Sequence, residues 1–106
     1  MKNERHRKFI RQLPCLVCLD NVSVEAAHIR MSDASYRKHN PGSKRPSDIY
    51  LIPLCGRHHR IQHSMSEAEF WRDLGVDPID IALRLFDCSG DIEVAERIIL
   101  AEAELT

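Results

Sequence analysis

The stretch "SDIYLIPLCGRHHRIQH", Ser47 to His63, sets a short apolar run beside a cysteine and three of the chain's six histidines. "IYLIPL" (Ile49 to Leu54) reads as a strand, and Pro53 places it at an edge or a strand end. Gly56 to His63 is polar and reads as a helix. On that helix His59 and His63 are four positions apart, so their side chains leave the same face one turn apart. This spacing suits a shared divalent ion. His58 lies about 100° further round and can face something else.

Working outward, Cys55-x-x-His58 has a counterpart in Cys15-x-x-Cys18. Each pair is short enough for both side chains to point at one ion. Tetrahedral zinc in a structural site takes four such ligands, and three Cys with one His is a standard set. The pairs are too far apart for a compact finger, so a zinc would tie together the two ends of an inserted unit. Two pairs without metal is the alternative. Cys88 stands apart and reads as a small apolar packing residue.

The chain has 106 residues, which suggests one domain, here 1–106. No apolar run approaches a membrane span. The opening "MKNERHRKFIRQLP" is basic and lacks the apolar run of a signal peptide. A cytoplasmic protein is the expectation, in which cysteines serve as thiols or metal ligands rather than disulfides. The net charge of −1 hides an asymmetry. Residues 1–60 hold twelve Lys+Arg and five Asp+Glu, whereas 61–106 hold three and eleven. A basic half can attract phosphate, although two solvated faces that cancel would look the same.

The remaining elements follow from punctuation. Asn3 to Gln12 reads as a short helix with Phe9, Ile10 and Leu13 apolar, stopped by Pro14. "VSVEAAHI" (Val22 to Ile29) reads as a strand. Met31 to Asp48 is rich in Ser, Asn, Pro, Gly and basic residues and reads as a long, mobile loop, of a length that in compact domains is functional or disordered. Ser66 with Glu69 opens a helix that Gly75 ends, Asp77-Pro78 opens another, and Ile92, Ala95, Ile98 and Ile99 share the face of a third. Phe70, Trp71, Leu74, Ile81, Leu85 and Phe86 read as core.

The order of these parts is zinc pair, strand ending in His28, loop, strand, zinc pair, then a helix with His-x-x-x-His. It resembles the HNH nucleases, the ββα-metal family. "CLVC", "AAHIR" and "SDIYLIPLCGRHHRIQH" carry the resemblance over about half the chain. It looks closest to phage- and prophage-borne members, the RecA-dependent type among them. What the resemblance implies is an α+β fold. A ββα-metal unit with a zinc knuckle (14–64) would be followed by a helical extension (65–106). The implied activity is metal-dependent hydrolysis of phosphodiester bonds in DNA.

Carried over, His28 would be the general base. His59 and His63 would hold a catalytic divalent cation such as Mg²⁺, Mn²⁺, Ni²⁺ or Zn²⁺. Cys15, Cys18, Cys55 and His58 would hold structural zinc. Two departures stand out. Ala27 occupies the position where many members carry a further metal ligand, and the middle Asn of the family pattern falls near Tyr50. Asp48, just upstream, is the candidate to orient His28 or complete the metal shell, with an ordinary turn residue as the alternative. Arg30, Arg37, Lys38, Lys44 and Arg45 are candidates for phosphate contact. Two other readings compete: a non-catalytic zinc module that binds DNA or protein, and a small phage assembly protein.

Overall fold

Five helices surround a two-stranded antiparallel sheet in a computed structural model that describes residues 2–31 and 47–105. The fold class is α+β. In chain order the elements are α1 (Glu4–Arg11), β1 (Val24–His28), a 3₁₀ turn (Asp48–Tyr50), β2 (Leu51–Cys55), α2 (Gly56–Ser64), α3 (Glu67–Leu74), α4 (Pro78–Asp87) and α5 (Ile92–Leu105). No helix among the described residues is long and apolar enough to cross a membrane.

The helix boundaries follow their caps. The Asn3 side chain accepts from the His6 N–H at 3.0 Å and starts α1. Ser66 accepts from Glu69 N–H and Asp77 from Asp80 N–H, starting α3 and α4. Gly75 closes α3 in the left-handed region at φ 71°, where a glycine has no Cβ to clash.

The sheet is shorter than the sequence suggests, for two local reasons. Val22 is 87% exposed, and pairing begins only at Val24↔Cys55. At the other end the Ser47 hydroxyl accepts from Ile49 N–H, and this turn chemistry coils Asp48 to Tyr50 before β2 can start. Pro53 pairs with Ala26 in mid-strand, yet its carbonyl accepts from Leu16 N–H at 2.9 Å. In an antiparallel strand the N and C=O of one residue face the same side. The proline nitrogen therefore faces away from β1 and costs the ladder nothing.

All five residues of β2 are buried, so both faces of the strand are covered. α1 packs on both strands and, with Leu13 just beyond it, adds Phe9 and Ile10 to the core, α2 packs on both strands, and α4 packs on β2 and the 3₁₀ turn. Trp71, Ile79, Ile81, Leu85 and Ile99 extend the same core into the C-terminal helices. Phe86 and Leu74 are only half-buried, although both read as core in sequence. Cys88 is half-buried against the core, in keeping with a packing role.

Candidate functional site

The two short pairs come together. Cys15 enters from the turn after α1, Cys18 three residues later, Cys55 from the end of β2, and His58 from the first turn of α2. Their ligand atoms all lie within 4.8 Å of one another. Cys18 Sγ and Cys55 Sγ are 3.8 Å apart, Cys55 Sγ and His58 Nδ1 3.1 Å, and Cys15 Sγ and His58 Nδ1 3.8 Å. A tetrahedron with Zn–S bonds of about 2.3 Å has edges of about 3.8 Å. The four residues could hold a metal such as zinc. Burial and the adjoining thiols push the Cys18 thiol up to about 11. Burial also acts to raise Cys55, but the N–H of His58 and the adjoining sulfurs outweigh it and bring that thiol below its ordinary value. A divalent cation would deprotonate such a cluster outright.

The loop that carries this first pair is tight. Cys15 N–H donates to Asp20 C=O and Leu19 N–H to Cys15 C=O, both at 2.8 Å. The turn forces Leu19 to φ 65°, a left-handed conformation that costs a side-chain-bearing residue roughly 1–2 kcal/mol.

His58 and His59, adjacent in sequence, face different partners. While His58 turns Nδ1 to the sulfurs, His59 Nδ1 meets Glu25 Oε1 at 2.7 Å and its Nε2 lies 3.1 Å from His63 Nε2. Glu25 accepts the Nδ1 proton of His59, so the Nε2 lone pair of a neutral His59 points at the other ring. Two imidazole nitrogens this close need a shared proton or a shared cation between them. A separation of 3.1 Å suits two ligands of one ion with bonds near 2.0–2.1 Å.

The alternation of β1 puts Glu25 on the same face as Ala27, while His28 closes the strand on the alternate face. Its Nε2 lies 2.8 Å from Asp48 Oδ1. Asp48 is 1% exposed and also accepts from Asn3 N–H at 2.6 Å and from Arg7 Nε and Nη2 at 2.7 and 3.0 Å. Burial alone would raise this carboxyl, but these donors, the Arg7 guanidinium first, hold it down at about 2. An ionised Asp48 can only accept. His28 therefore donates from Nε2 and keeps its Nδ1 lone pair, which bonds to no other described residue and is not one of the buried unpartnered atoms. Burial, with help from Arg7 and Arg30, holds His28 below the usual histidine value against the pull of Asp48. The ring is thus neutral near pH 7. Burial, His59 and Arg30 likewise lower His63. The charge of Arg30 is felt by both histidines.

Of the expected phosphate contacts, Arg30 sits just past β1, where its main-chain N–H bonds to Glu67 at 2.9 and 3.0 Å. Arg37, Lys38, Lys44 and Arg45 lie outside the described residues. Sequence reading missed Asn3, Arg7 and Glu25, which reach their partners across 45, 41 and 34 positions. It also missed His6, which is fully buried with its Nδ1 2.8 Å from Ser89 Oγ. That residue had a signal: 6, 9, 10 and 13 form one helical stripe.

No protein-family model, curated protein or solved structure matches this chain.

Proposed function

We propose that this protein is a metal-dependent HNH-type endonuclease that hydrolyses phosphodiester bonds in DNA, in a phage or prophage setting. The observation that carries the reading is a pair of histidines on the helix of a strand–strand–helix unit, His59 and His63, whose Nε2 atoms converge to 3.1 Å. The first strand of that unit ends in His28, which donates Nε2–H to Asp48 and keeps its Nδ1 lone pair. The adjoining Cys15, Cys18, Cys55 and His58 would hold structural zinc and fix the register of β2 and α2 against the first cysteine turn.

His59 and His63 would hold the catalytic divalent cation, with Glu25 keeping His59 in the right tautomer. When bound, such a cation supplies charge stabilisation at a non-bridging phosphate oxygen and at the leaving 3′ oxygen. The chain does the rest. His28 Nδ1 takes a proton from the attacking water, and Asp48 stabilises the imidazolium that forms. The scissile phosphate would lie across the end of β1, where the charge of Arg30 attracts it. Arg37, Lys38, Lys44 and Arg45 would bind flanking phosphates.

The test is supercoiled plasmid incubated with zinc-loaded protein and Mg²⁺, Mn²⁺ or Ni²⁺. The expected result is nicking or linearisation that falls roughly 10²–10⁴-fold in His28→Ala with DNA affinity retained. Binding without cleavage under every metal would leave a zinc module and end the hydrolase reading.

A further inference from the structure

Asp48 spends all its acceptor capacity on partners that come mostly from outside the strand–strand–helix unit. Oδ2 takes Asn3 N–H and Arg7 Nε–H, and Oδ1 takes Arg7 Nη2–H and His28 Nε2–H. Three of these four bonds come from α1 and its cap. Two carboxylate oxygens offer about four lone-pair sites, so the group is saturated and its plane is set by the guanidinium fork. Arg7 is 18% exposed and His28 16%, so both bonds to Asp48 are sheltered from competing water.

We propose that Arg7 is a positioning residue for the base. By gripping both oxygens of Asp48, it leaves one lone pair on Oδ1 for His28 and so holds the imidazole with Nδ1 outward. The inference rests on the role of His28 proposed above, and it makes α1 part of the reaction machinery rather than a packing element. Four charged or titratable groups bear on this assembly. Arg7 and Asp48 face His28 from α1 and the 3₁₀ turn, Arg30 acts from beyond the strand end, and His6 acts on Asp48 from the core side of α1. Without Arg7 the carboxylate keeps His28 as its nearest cationic partner, and the ring retains a proton to higher pH.

Arg7→Met and Arg7→Lys in the full zinc-loaded chain test this. Zinc content and thermal melting show that each variant is folded. Ring ¹³C and ¹⁵N shifts of His28 report its tautomer and titration, and plasmid cleavage with Mn²⁺ is followed from pH 5.5 to 8.5. Arg7→Met should move the acid limb of cleavage up by on the order of one pH unit, a roughly tenfold loss at pH 6 relative to pH 8, with little change in KM for DNA. Arg7→Lys, which keeps the charge but not the fork, should restore part of that loss. Should Arg7→Met not fold, Arg7→Lys alone should still show a displaced titration and a weaker preference for the Nε2–H tautomer. Wild-type ring shifts and an unmoved pH profile in a folded variant would overturn the proposal. Because the ring shifts need no turnover, they decide the role of Arg7 even if His28→Ala still cleaves, an outcome that would strike the base assignment instead.

Discussion

Replacing Asp48 with Asn changes one atom at the centre of the buried network. The carboxylate stands at about 2, against an ordinary value of 3.8. A difference of nearly two pH units corresponds to roughly 2.5 kcal/mol of stability at neutral pH, to order of magnitude. The amide also turns an NH₂ toward at least one of the donors now served by Oδ1 and Oδ2. Leaving a largely buried guanidinium short of its partner argues for at least this loss. Asp48→Asn should therefore cost about 2–3 kcal/mol, a large share of a small domain's margin, and lower Tm by on the order of 10 °C. The sign with pH is fixed. A carboxyl depressed in the folded state contributes fully above its unfolded value near 4 and loses that contribution as pH falls toward 2. Urea unfolding of metal-free wild type and variant at pH 7, 5, 4 and 3 should show a gap that is constant down to about pH 4 and narrows below it. A gap under about 0.5 kcal/mol at pH 7, or one that does not respond to acid, would refute the reasoning. Cleavage should fall by roughly 10²-fold or more, because the amide no longer dictates which ring nitrogen of His28 carries the proton.

Three other substitutions probe separate parts. Cys18→Ser should release the metal from the four-residue cluster and lower Tm sharply, read by zinc release to a chromogenic chelator; unchanged zinc content would mean that Cys18 is not a ligand. Leu19→Gly should stabilise the fold by up to about 1 kcal/mol in urea titrations, since it relieves a left-handed φ at a residue that is 39% exposed. Loss of stability there would show that the leucine side chain matters more than its backbone. Glu25→Ala should weaken Mn²⁺ binding at His59 and His63 by roughly 10–100-fold by calorimetry while leaving zinc in place, and an unchanged affinity would remove Glu25 from the site.

Short-range spacing was legible in the sequence, and long-range partners were not. The Cys15/Cys18, Cys55/His58 and His59/His63 pairs each sit within one turn of chain, so the members of each pair meet by local geometry, and the closing of the first two pairs on one cluster across 37 positions was legible only from their matched ligand types. Asp48 was within reach because it falls near a gap in a pattern; its backbone opens the 3₁₀ turn while its carboxylate meets His28. Arg7 had no such clue: nothing in a basic helix says which of its cations will meet an acid 41 positions later. Strand ends were misjudged where side-chain chemistry competes with the ladder. Ile49 and Tyr50 look like strand formers, yet the Ser47 hydroxyl draws them into a 3₁₀ turn. That turn is what brings the Asp48 carboxylate under α1.

The central claim is that α2 serves two ions from two different faces. Anomalous diffraction from zinc-loaded crystals soaked in Mn²⁺, recorded at wavelengths that separate the two elements, tests it most directly. The expected map has a zinc peak enclosed by Cys15, Cys18, Cys55 and His58 and a manganese peak between the Nε2 atoms of His59 and His63. A single metal peak at the cysteine cluster, with His59 and His63 bonded only to each other and to Glu25, would contradict it.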